Sequence, residues 1–142
     1  MQLFTAFKQM FIRFRYPVSL PEEVAASLGL EIDNTIAFKK FLSACRDCPP
    51  KRLAKFMPRC EAERAFHGAL RKEKFSSSSL YSFYFNEGWL EFELQFDSTS
   101  LLRRAYVHHK LISGTGIDEL HLSVDESSIQ TQNDTADSLF IA

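Results

Sequence analysis

The chain has 142 residues, 45% hydrophobic and 25% charged, with a net charge of -1 at neutral pH. That is the length of one ordinary domain and the composition of a globular one. It excludes a disordered, collagen-like or coiled-coil chain, and no apolar run is long enough to predict a membrane span.

Chain order begins with a phenylalanine stripe. Phe4, Phe7, Phe11 and Phe14 recur at steps of three and four, the spacing of one helix face, and Pro17 ends it. Ser19 ahead of Pro21-Glu22-Glu23 predicts a second helix, which runs to Leu28 and stops at Gly29. Asp33 or Asn34 caps a third, carrying Ile36, Phe38, Phe41, Leu42 and Cys45, and Pro49-Pro50 ends it. A fourth is predicted from about Arg59 to Lys74, weakened by Gly68.

Four serines, Ser76 to Ser79, read as a turn into a sheet. Tyr81, Phe83 and Phe85 alternate, as do Leu90, Phe92, Leu94 and Phe96. A two-residue loop at Glu87-Gly88 predicts Phe85 opposite Leu90, Phe83 opposite Phe92 and Tyr81 opposite Leu94, with every apolar side chain on one face. Residues 100–111 fit both a strand and a helix, and Val107 favours the strand. Ile117 to Val124 reads as a final strand. The expected fold is α+β: about four helices over 1–75, then an antiparallel sheet of three to four strands over 80–124, forming one domain over 1–124. Residues 125–142 read as an acidic disordered tail.

The charge is unevenly placed. Residues 1–75 hold 14 Lys and Arg against 8 Asp and Glu, net +6, while residues 76–142 hold 3 against 10, net -7. Two such halves attract each other within a fold, which is the favoured reading, or leave a basic face open to an anionic partner.

Cys45, Cys48, Cys60 and His67 follow the pattern C-x2-C-x11-C-x6-H. Three thiolates and an imidazole suit tetrahedral zinc, the one cofactor this sequence raises. Against it, Cys60 and His67 on one helix stand about 10 Å apart along the axis. Cys45 also lies on an apolar stripe, where a plain buried cysteine is favoured. A redox pair at Cys45 and Cys48 is disfavoured, because a helix C-terminus raises a thiol pKa. The odd cysteine count and the lack of a signal-peptide pattern point to a reduced, cytoplasmic setting.

Residues 21–42 have a weak helix-turn-helix look, which would bring Asn34, Thr35, Lys39 and Lys40 to nucleic acid, with Lys51, Arg52 and Lys55 as phosphate contacts. Two packed helices are the favoured reading of that segment. Phe7, Phe11 and Phe14 with Arg13 and Arg15 would make a partner-binding face, unless the stripe packs on the hairpin, which is favoured. The function expected is therefore a non-enzymatic protein-binding, adaptor or regulatory module. The first alternative is a nucleic-acid-binding regulator, and the second an enzyme of unrecognised class, since no catalytic residue set stands out.

Overall fold

In a computed structural model the fold is described for residues 17–30 and 36–124. Three α-helices stand among them: α1 (Pro21–Leu28), α2 (Phe38–Asp47) and α3 (Arg59–Arg64). The strands are β1 (Ala54–Lys55), β2 (Arg71–Lys74), β3 (Ser78–Phe85), β4 (Gly88–Phe96), β5 (Leu102–His108), β6 (Ile117–Glu119) and β7 (Ser123–Val124). Strands β2 to β6 form one antiparallel sheet in sequence order, and β1 pairs in parallel with β7.

The class is α+β, as the residue pattern predicts, but among the described residues there are three helices where about four are expected over the whole chain, and five strands in the sheet rather than three to four. The expected first helix, Phe4 to Phe14, lies outside the described residues. The expected helix from Arg59 to Lys74 ends at Arg64, and Arg71–Lys74 is a strand. All four residues of β2 are exposed. An edge strand that buries neither face has no apolar alternation to give it away. Strands β1 and β2 also lie within the half expected to be helical.

Helix α1 starts at Pro21 with Glu22 and Glu23 in its first turn, and Leu20 rather than Ser19 occupies the N-cap. Its end is a Schellman motif: Gly29 donates to Ala26 O and Leu30 donates to Ala25 O, with Gly29 at φ 72°. Helix α2 begins at Phe38 after the extended Ala37, later than a cap at Asp33 or Asn34 requires. It buries Phe38, Phe41, Leu42 and Cys45, the predicted stripe.

The β3–β4 hairpin keeps the predicted faces and changes the partners. Phe85 pairs Gly88, Phe83 pairs Leu90 and Tyr81 pairs Phe92, a register two residues away from the expected one. A shift of two preserves alternation, so Tyr81, Phe83, Phe85, Leu90, Phe92, Leu94 and Phe96 still share the inner face, while Tyr84 and Trp89 pair on the other. The turn residues are Asn86 and Glu87, neither with positive φ, and Gly88 follows at φ 108°. That is the arrangement of a type I turn closed by glycine, rather than a two-residue loop ending on Gly88.

Residues 102–108 form the strand favoured by Val107. The expected strand Ile117–Val124 is broken: Leu120 is buried and donates to Ala105 O, and the chain then crosses to β1. The core lies between the inner sheet face and the helices. Phe66 stacks on Tyr81 at 4.7 Å and packs on Phe92 at 5.3 Å, while Phe38 meets Phe85 at 4.9 Å.

Candidate binding groove

Helix α3 and the edge strand β2 enclose a groove of about 750 Å³. Pro58 starts α3 and bridges to Leu101, and Arg59 N–H donates to Ser100 O, so the helix is pinned to the β4–β5 connection.

Arg59 is the staple of this region. Its Nε donates to Glu63 Oε1 at 2.8 Å, one turn along the helix. Its other nitrogens donate to the carbonyls of Ser76, Phe75 and Ser78 and to Ser79 Oγ, over 2.8 to 3.1 Å. The guanidinium also lies 4.7 Å from the Phe96 ring. A planar fork of five donors is matched here to the inside of the β2–β3 turn.

Glu63 Oε2 accepts from the Tyr81 hydroxyl and from Lys74 Nζ, each at 2.8 Å. Partial burial pushes the Glu63 carboxyl up, but hydrogen bonds from Lys74, Tyr81 and Arg59 outweigh it and hold the group below its ordinary range. Tyr81 moves the other way: burial, and then donation to the Glu63 carboxylate, raise its phenol well above the ordinary value. The only carboxylate of the groove is therefore ionised and fully engaged.

What remains is basic. Arg59, Arg64, Lys72 and Lys74 line the groove against that one acid, with Cys60 and His67 beside them. Lys72 Nζ donates to His67 O at 2.8 Å, which ties the turn after α3 to the edge strand. Phe75, 52% exposed, adds an apolar rim.

The zinc pattern falls into two separate pairs. Cys45 is fully buried on α2 and its thiol is pushed up to about 12 by burial and then by Cys48. Cys48 is half-buried at the end of the same helix, whereas Cys60 and His67 line the groove. Among the described residues no three His, Cys, Asp or Glu side chains come together to hold a metal. Cys45 is buried on α2, as its place on the apolar stripe predicts.

The described residues of the nucleic-acid set fall on three segments of the chain. Asn34 and Thr35 lie outside the described residues, as do Phe7, Phe11, Arg13, Phe14 and Arg15. Lys39 and Lys40 are exposed at the start of α2, and Lys39 lines a second cleft of about 370 Å³ with Arg46, Leu111 and Asp118. Lys51 and Arg52 sit against the α1 cap, where they donate to Gly29 O and Leu28 O. Lys55 lies 5.6 Å from the Phe56 ring.

The residues that build the groove were only partly signalled. Arg59 and Glu63 have the i,i+4 spacing of a helical ion pair. No local pattern places Tyr81 or the β2 edge beside them. Compared with known proteins, the chain matches no family model, and no curated protein or solved structure shows significant similarity to it. Among the described residues no helix is long and apolar enough to cross a membrane.

Proposed function

We propose that the protein is a non-enzymatic protein-binding module, and that the α3–β2 groove receives an acidic surface of its partner. The observation that carries this reading is the imbalance of the groove: four cationic side chains surround one carboxylate that is already neutralised. Opposite charge steers encounter and selects partners, and an exposed aromatic at the rim supplies an anchor. Three cysteines without a disulfide among them accord with a cytoplasmic setting.

The test is titration with a short capped peptide alternating glutamate and valine, followed by NMR. Binding should weaken about tenfold in the double variant Arg64→Glu, Lys72→Glu. Shifts should centre on Cys60, Arg64 and His67. Equal binding by that variant overturns the reading. Tighter binding of single-stranded DNA at the same residues, with a steep salt dependence, would transfer it to the nucleic-acid alternative.

A further inference from the structure

We infer that the outer edge of β2 is a strand-addition site, taking an extended acidic segment of a partner protein as a sixth strand of the sheet. This rests on the protein-binding reading above and specifies how the groove is used.

Among the described residues β2 is the outermost strand, paired only with β3. Phe75 N–H donates to Ser78 O, which fixes the phase of the ladder. Hydrogen-bonded and non-bonded pairs alternate in an antiparallel ladder, so Glu73 and Arg71 bond inward to Leu80 and Ser82. Lys72 and Lys74 belong to the alternate pairs. Their main-chain N–H and C=O groups face away from the sheet.

Lysine on an edge strand usually protects it from such pairing. Here the two ammonium groups are drawn back toward α3: Lys74 to Glu63 and Lys72 to the His67 carbonyl. They therefore charge the groove beside the edge, on the face shared with Tyr81. An incoming strand would place alternate side chains over that face, opposite Lys72 and Lys74 and near Arg64. Carboxylates at i and i+2 suit those positions, and the intervening residues would meet the opposite face, where Arg71 and Glu73 carry mixed charge. The other edge offers no equivalent, since β6 has three residues, two of them Asp118 and Glu119.

The test is amide hydrogen exchange on the isotope-labelled full chain with the same glutamate–valine peptide. At about ten times its Kd, exchange of the Lys72 and Lys74 amides should slow about tenfold, and that of Glu73 should not change. N-methylating alternate peptide bonds should abolish binding in one phase and spare it in the other. If Arg64 and His67 signals shift while both lysine amides stay unprotected, strand addition is overturned and the groove reading survives. No shift at any groove residue overturns both. Equal protection by a lysine–valine peptide overturns the acidic preference.

Discussion

The Tyr81 hydroxyl and the Lys74 ammonium share one oxygen of Glu63, each at 2.8 Å, so a helix, an inner strand and an edge strand meet at a single carboxylate. The side chain of Glu63 is only 12% exposed, which makes the arrangement costly to leave half-satisfied.

Replacing that carboxylate should destabilise the fold. Glu63→Gln is expected to cost about 1–3 kcal/mol at neutral pH, read from urea midpoints. The Glu63 carboxyl is held below its ordinary range in the folded state. Its contribution is thus present above the ordinary carboxylate range and lost as pH falls through the folded value. The variant should flatten that acid-side loss, and an unchanged slope would show that Glu63 is not its source.

His109 should act at milder acidity. Its ring is buried against Phe38 at 4.7 Å, and Nδ1 accepts from the Leu111 N–H at 3.0 Å. Burial, and to a lesser degree Lys110, push its pKa below 6.5, against smaller opposing effects of Glu87. The unfolded chain gains the proton first. Stability is therefore full above 6.5 and falls as pH drops from there through the folded value. His109→Phe keeps an aromatic ring against Phe38, so its urea midpoint should vary less over this window than that of the unmodified protein.

Gly29 should not tolerate a side chain. Its φ is 72°, and a Cβ would lie 3.0 Å from Arg52 N and from Lys51 Cβ. Gly29→Ala combines backbone strain with a clash against the 51–52 turn, and a loss of about 1–3 kcal/mol is expected in thermal unfolding. A neutral result would mean that this turn yields freely.

The three thiols should react in sequence with a disulfide reagent. Cys60 is exposed, Cys48 is half-buried and Cys45 is fully buried with its thiol pushed up to about 12. Cys60 should label first, and Cys45 only at the rate of unfolding. Rapid labelling of Cys45 in the native protein would contradict its place in the core.

Where burial is one-sided, the residue pattern is readable. The stripe of α2 and the alternation of β4 follow from having one face more exposed than the other, whereas β3 is buried on both faces from Tyr81 to Phe85 and is legible through its aromatic spacing. The hairpin register was legible only in its parity, because shifting by two moves no side chain to the other face. Strand β2 was hidden because both of its faces are wet, so Arg71-Lys72-Glu73-Lys74 continues a charged helix as readily as it forms a strand. The groove was hidden for a further reason. Glu63 and Tyr81 are brought together by tertiary packing, and nothing local in either segment names the other.

The parallel pairing of Ala54 with Ser123 joins positions 69 residues apart. As the chain leaves the ribosome, β1 cannot form its parallel pair with β7 until almost all described residues have been synthesised, although β5 is available to it earlier. The helices and the β3–β4 hairpin can assemble from neighbours close in sequence, whereas β7 must close a long loop to dock. The last step of maturation would then be a late latch, and chains truncated before Ser123 would keep the sheet but leave the polar edge of β1 uncovered.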